Sequence, residues 1–412
     1  MRQKRILVNA IAFFIVFSVI FNFNILSYAT EDYVWNYNLG SVETSATDSE
    51  SNIENPLNLQ CGAAILIDQN SGQVLYEHNS HEKLRPASVT KVMSILLVME
   101  ALDSGQIKLE DRVPCSEKAS SMGGSQIWLT TSEALTVNEM LKCMCVVSAN
   151  DCTVAMAEYL CGSTDAFVEK MNQRAKELGM NDTCFKNCHG IDEDGHETSA
   201  YDIALMSREL LNNHPSITNY TTIWMDSIRD GKSELVNTNK LVRNYEGCTG
   251  LKTGSTSLAL YNLSASATRD NLSLIAVVMK APTTALRFSE AKALLDYGFN
   301  NYSSSELGKK DDIVKCINVE KGVENNLNGL FSKNEYCLIP KGKESEIRQE
   351  ISIPDSIQAP VSKGEKIGEI KYYYEDKQLC SIDVISDRDV RKNSLVNMSG
   401  FLLRKWFSLL RI

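Results

Sequence analysis

The chain has 412 residues, 43% of them hydrophobic, which allows two domains and a sizeable core. Its formal net charge of -10 at pH 7 excludes general nucleic-acid binding, which needs a basic footprint.

The N-terminus carries a basic cluster, Arg2, Lys4 and Arg5, then an apolar stretch from Ala10 to Phe21, then Ser27-Tyr28-Ala29. This is the pattern of a secretory signal peptide over 1–29. Asn22 and Asn24 keep the apolar run short of the roughly 20 residues that a membrane span prefers. Residues 30–57 are polar and aperiodic and read as a flexible lead-in. Two short strands follow, Gly62–Ile67 and Gln73–Tyr76, joined as a hairpin by the turn-rich Asp68–Gly72. Ser88–Leu102 has helical periodicity and stops at Ser104-Gly105. Thr136–Val147 is a second apolar helix, and Asp151 is placed to cap a third that runs to about Leu160. Further helices are expected over 165–178, 200–211 and 285–296, with strands at Leu251–Gly254, Tyr261–Ala267 and Leu272–Met279. Strands at both ends with helices between give an α+β fold, an antiparallel sheet flanked by helices, over 58–300.

From 301 to 388 short β-rich pieces dominate: Ile313–Val319, Tyr336–Ile339, Ile367–Tyr374 and Cys380–Ile385. They predict a second, small all-β domain. In the last segment, 389–412, Met398, Leu402, Leu403, Trp406, Leu409 and Leu410 share one helical face, with Arg404, Ser408 and Arg411 opposite. That pattern predicts an amphipathic helix lying in a membrane surface. Among the twelve cysteines, Cys145 and Cys152 lie on apolar helix faces, where a free thiol acts as a small hydrophobe. Cys184, Cys188 and His189 lack a second ligand pair at zinc spacing, so no metal is expected.

Three short strings carry the chemistry. Ser88-Val89-Thr90-Lys91 places a hydroxyl and an amine one turn apart on a helix. Serine is a weak nucleophile until a base takes its proton, and lysine becomes that base only when burial or nearby positive charge lowers its pKa. Ser148-Ala149-Asn150 falls between two helices, where Ser148 is placed to relay a proton and the Asn150 amide to donate to and accept from a peptide. Lys252-Thr253-Gly254 lies on a strand. Lys252 and Thr253 suit a substrate carboxylate, and Gly254 leaves room for a substrate backbone. The backbone N–H of Ser255 is a candidate partner for that of Ser88 in an oxyanion hole.

In this order S-x-x-K, S-x-N and K-T-G are the motif set of acyl-serine penicillin-binding enzymes. The chain resembles the low-molecular-mass penicillin-binding proteins that are serine-type D-alanyl-D-alanine carboxypeptidases. The resemblance covers about 60–390, including PASVTK, SANDCTVAMAEYL, FVEKMNQRAKELGM, NCHGID and NTNKLVRNYEGCTGLKTGSTS. The run Asn237–Ser257 looks most like the Gram-positive, sporulation-associated branch. The resemblance implies that Ser88 is acylated by the stem peptide of peptidoglycan, with release of terminal D-alanine. It implies Lys91 as general base, Ser148 as proton shuttle, Asn150 as a contact to the substrate amide, and Lys252 and Thr253 as carboxylate anchors. β-Lactams are implied as acylating inhibitors, and no cofactor is implied.

One departure stands out: this family commonly has glycine where this chain has Leu260. Strand alternation turns the side chain either into the cleft, which it would narrow, or into the core, where it would merely pack, and the narrowed cleft is the preferred reading. His189 and His196 match no catalytic position and are expected to order a loop. Two other readings are a class A-like β-lactamase and a non-catalytic wall-binding protein with a degenerate site. The first lacks its E-x-x-L-N segment between Asn150 and Lys252. Intact motifs disfavour the second.

Overall fold

The structure, a computed structural model, describes residues 57–393. The expected signal segment, the lead-in up to residue 56 and the tail from residue 394 lie outside the described residues.

Strands β1 (Ala63–Asp68) and β2 (Val74–His78) form the expected hairpin, with Leu66 opposite Tyr76. Three more come from late in the chain: β3 (Cys248–Thr256), β4 (Leu260–Arg269) and β5 (Leu272–Ala281). β5 returns to pair with β1, Ile65 against Val277, giving a five-stranded sheet in the order β2-β1-β5-β4-β3.

Both faces of this sheet are buried. Along β1, Ala63, Ile65 and Ile67 join one core, while Ala64 and Leu66 join the other, as the two-residue period of a strand requires. The first core is helical: α1 (Lys91–Asp103), α2 (Val137–Val146), α3 (Asn150–Cys161), α4 (Thr164–Glu177) and α5 (Ala200–Asn213). The second is closed by α6 (Thr284–Asn301) through Ala291, Leu294 and Leu295.

Most helix starts follow from capping. Thr136 and Glu139 satisfy each other's backbone N–H groups ahead of α2, and Ser163, Ser199 and Thr283 cap α4, α5 and α6. α3 differs from expectation. Asp151 lies inside its first turn, and its fully buried carboxylate accepts from Ile127 N (3.1 Å) and Leu129 N (3.0 Å) instead. Tertiary bonds to a loop have taken the side chain that would otherwise cap the helix.

The small β domain has eight strands: β6 (Tyr302–Gly308), β7 (Ile313–Glu320), β8 (Asn326–Phe331), β9 (Glu335–Pro340), β10 (Arg348–Ser352), β11 (Ser356–Gln358), β12 (Lys366–Tyr374) and β13 (Lys377–Ser386). Six form a sheet in the order β10-β12-β13-β8-β7-β11, and β6 pairs with β9. Ile317, Leu327, Ile370, Ile382 and Val384 fill its core. The expected boundary at 388 falls too early. Val390, 1% exposed, bridges to Val361, and Lys392 bridges to Gly322, so these residues complete the β domain. Among the described residues no helix is long and apolar enough to cross a membrane.

Candidate active site

The segment carrying Ser88 is a 3-10 turn, Ala87–Thr90, and the α-helix begins only at Lys91. The sequence pattern suggested one helix from Ser88 onward. The backbone is held out of that geometry at Ala87 (φ 48°), whose carbonyl lies hard against Gly190 (φ 91°). A Cβ on Gly190 would fall 1.9 Å from that carbonyl oxygen. His196 fixes the same turn. Its Nδ1 accepts from Lys186 N (2.9 Å), so its Nε2–H donates to Thr90 Oγ1 (2.8 Å), which in turn donates to Ala87 O (2.8 Å). Burial pushes the His196 ring down to about 4, so it stays neutral.

Lys91 is fully buried at the start of α1. Its Nζ lies 3.1 Å from Ser88 Oγ, 2.6 Å from Asn150 Oδ1 and 2.7 Å from the His189 carbonyl. Burial, and then the charge of Lys252, lower its pKa well below the usual lysine value. A neutral amine has two N–H donors and one lone pair. The amide oxygen of Asn150 and the carbonyl of His189 can only accept, so they take the two N–H groups. The lone pair is left for the Ser88 hydroxyl, the arrangement that a base needs.

Ser148 and Ala149 form the turn between α2 and α3, with Ser148 in the left-handed region (φ 63°). Its Oγ is buried and has no hydrogen-bond partner among the described residues. A buried, unpaired hydroxyl costs about 1–3 kcal/mol, so one at this position calls for a functional account.

Asn150 is more committed than its sequence suggests. Its Oδ1 takes Lys91, its Nδ2 donates to Gly123 O (2.7 Å), and its backbone N–H donates to Ser125 O (2.7 Å). Each end of the amide therefore holds one protein partner, with one lone pair on Oδ1 and one Nδ2 hydrogen remaining. Besides positioning Lys91, the side chain keeps one acceptor site and one donor for the expected contacts to a substrate amide. Pinned by Asn150 at Gly123 and Ser125 and by Asp151 at Ile127 and Leu129, the 123–129 loop is fastened to the first turn of α3.

On β3, Lys252 is 1% exposed and donates to the Thr253 carbonyl (2.9 Å). Burial lowers its pKa to about 7, Cys145 opposing and Arg287 adding to the fall. The Thr253 hydroxyl donates to Thr238 Oγ1 (2.7 Å), so both expected anchors are engaged inside the protein. Gly254 was expected to leave room for a substrate backbone, but the space beside it is taken by the protein itself: a Cβ there would lie 2.8 Å from Pro86 O and 2.9 Å from Ser88 N. Gly254 and Ser255 thus run directly beside the Ser88 turn. Behind them the Arg287 guanidinium reaches Gly254 O (3.3 Å). Buried Asn237 and Asn239 shape the entry to β3, Asn239 donating to Gly250 O (3.0 Å).

Leu260 follows neither alternative that a strand offers. It opens β4 opposite Thr256, half-buried, with φ 55°. Glycine enters this left-handed region without strain, and leucine does not. The position is decided by backbone conformation at the hairpin, and nothing in the structure shows its side chain narrowing the cleft.

The motif residues thus converge on one site. Gly190 and the loop carbonyls of Gly123 and Ser125 were not singled out by sequence, although Gly190 lies in the quoted NCHGID run, and Asp151 was read only as a helix cap. Only structure shows why that glycine is needed.

Comparison with known proteins agrees with this geometry. Residues 49–283 match the family profile described as D-alanyl-D-alanine carboxypeptidase, and 302–392 match the penicillin-binding protein 5 C-terminal domain. The D-alanyl-D-alanine carboxypeptidase DacF of Bacillus subtilis is 42% identical over 348 residues, covering 84% of this chain and 89% of the relative. Penicillin binding protein 5 from Haemophilus influenzae superposes with a TM-score of 0.70 at 32% identity, covering 81% of this chain and 98% of that one. Penicillin-binding protein D2 from Listeria monocytogenes, solved in an ampicillin-bound form, matches with a TM-score of 0.55 at 30% identity, over 59% of this chain and 99% of its own. The chain belongs to the D-alanyl-D-alanine carboxypeptidase family of serine peptidases, the low-molecular-mass penicillin-binding proteins.

Proposed function

We propose that this chain removes the terminal D-alanine from peptidoglycan stem pentapeptides through an acyl-enzyme on Ser88, and that β-lactams acylate the same hydroxyl. The observation that carries this is the buried Lys91 amine 3.1 Å from Ser88 Oγ, with acceptors placed for its two remaining N–H groups. Lys91 takes the Ser88 proton as Oγ attacks the carbonyl of the penultimate residue. The N–H groups of Ser88 and Ser255 receive the developing oxyanion. Ser148, the unpaired hydroxyl, passes the proton from Lys91 to the departing amine of D-alanine. The carboxylate of that D-alanine draws Lys252 Nζ from the Thr253 carbonyl and the Thr253 hydroxyl from Thr238. Water then hydrolyses the acyl-enzyme.

The β-lactamase reading finds no support at Lys91, whose hydrogen-bond partners are a hydroxyl, an amide oxygen and a backbone carbonyl, with no carboxylate among them. We further propose export through the 1–29 signal pattern and attachment of the tail to the outer face of the cell membrane. A role in sporulation rests on the resemblance of Asn237–Ser257 to that branch. The test is incubation of the purified mature protein with a stem pentapeptide and, separately, with benzylpenicillin. Release of D-alanine with slow β-lactam turnover supports the proposal. Rapid penicillin hydrolysis without D-alanine release points to a β-lactamase, and inertness to both to a wall-binding protein.

A further inference from the structure

We propose that Trp128 is a recognition platform of the active site, stacking against the acyl portion of the ligand, the part that stays bonded to Ser88 after the leaving group departs. The inference rests on the acyl-serine reading above.

Trp128 is 74% exposed, the most exposed large hydrophobic residue among those described, while its neighbours Ile127 and Leu129 are 5% and 2% exposed. Its backbone is in the left-handed region (φ 55°), where a bulky side chain is strained. Such a conformation persists only where the surroundings impose it. Here they do. The Asp151 carboxylate accepts from Ile127 N (3.1 Å) and Leu129 N (3.0 Å), the two N–H groups flanking Trp128. Arg229 donates to Ile127 O (2.9 Å) and is itself held by Glu133. A fully buried carboxylate and a buttressed guanidinium thus hold an indole out in solvent, an arrangement that core packing does not call for.

The placement is tied to the chemistry. Asp151 adjoins Asn150, and the loop that ends at Trp128 is the one whose Gly123 and Ser125 carbonyls hold Asn150, which in turn holds Lys91. The leaving group ends in a carboxylate whose proposed anchors, Lys252 and Thr253, lie on β3. The wall built from Asn150 and this loop is left for the acyl part. An exposed indole suits a flat or apolar group there, and stacking of this kind is worth roughly a three- to tenfold effect.

The experiment measures second-order acylation rates of wild type, Trp128→Ala, Trp128→Phe and Trp128→Gly. Benzylpenicillin carries an aromatic acyl side chain, and 6-aminopenicillanic acid has none. Trp128→Ala and Trp128→Gly are expected to acylate three- to tenfold more slowly with benzylpenicillin and unchanged with 6-aminopenicillanic acid, with Trp128→Phe close to wild type. Trp128→Gly removes the backbone strain and is expected to melt no lower than wild type, which separates loss of contact from loss of fold. Equal slowing with both compounds, or no slowing with either, overturns the proposal. Failure of wild type to be acylated by either compound overturns the acyl-serine reading and this one with it.

Discussion

Replacing Lys252 with methionine should make the protein more stable while removing its grip on carboxylates. Lys252 is 1% exposed, and folding lowers its pKa from 10.5 to about 7. The folded protein therefore releases this proton near pH 7, whereas the unfolded chain keeps it to about 10.5. Between those values the unfolded state binds more protons, so wild-type stability rises with pH. The penalty is about 4 kcal/mol at pH 7, reaches its full value of about 5 kcal/mol below that, and vanishes above the unfolded value. Methionine has similar length and no charge. It leaves the Thr253 carbonyl unpaired, which subtracts about 1–3 kcal/mol. The net gain expected for Lys252→Met at pH 7 is about 1–3 kcal/mol, or a melting temperature higher by roughly 2–4 °C per kcal/mol. Thermal unfolding at pH 7 and at pH 10 tests this, since the advantage must shrink at the higher pH. The lost charge also ceases to depress Lys91, so the acidic limb of the acylation profile should move to higher pH. A variant less stable than wild type at pH 7, or an advantage that does not change with pH, refutes the reasoning.

Three further outcomes follow from the geometry. Ser148→Ala deletes a buried hydroxyl that has no partner among the described residues, so it should cost no stability while slowing acylation about 100-fold or more, read by stopped-flow labelling beside a melting curve. Normal acylation with reduced stability would count against the shuttle. Gly190→Ala drives a methyl into the Ala87 carbonyl and should cost about 2 kcal/mol or more together with labelling of Ser88. Gly195→Ala (φ 76°), which meets only the flexible end of Lys186, should keep its labelling and serves as the control. Leu260→Gly relieves a left-handed backbone and should raise stability by about 1 kcal/mol at an unchanged rate on a stem pentapeptide, whereas a faster enzyme would restore the narrowed-cleft reading.

The three motifs and the elements bearing them were legible because their signals are local. The nearly unbroken apolar run of α1, the Thr136–Glu139 capping box and the Asp68–Gly72 turn are each written in consecutive or nearby residues. The signals that shape the site are long-range. Nothing near Asn150 announces that Gly123 O will occupy its amide, and nothing near Ser88 announces that His196 and Gly190 will bend its helix start into a 3-10 turn. Asp151 reads locally as a cap, and the loop it captures lies more than twenty residues upstream. In the small domain β6, β8, β10 and β11 were not named from sequence; β10 is exposed along its whole length and β11 is only three residues long, so neither carries a buried-and-exposed alternation. Val390 belongs to that domain through its pairing with Val361, which sequence periodicity does not record.

The central claim is that Ser88 becomes covalently acylated with Lys91 as its base. The direct measurement is peptide mapping by mass spectrometry after brief exposure of the protein to benzylpenicillin, in wild type, Ser88→Ala and Lys91→Ala. The account predicts a single adduct on the peptide containing Ser88 in wild type and none in either variant. An adduct elsewhere in the chain, or undiminished labelling of Lys91→Ala, would contradict it.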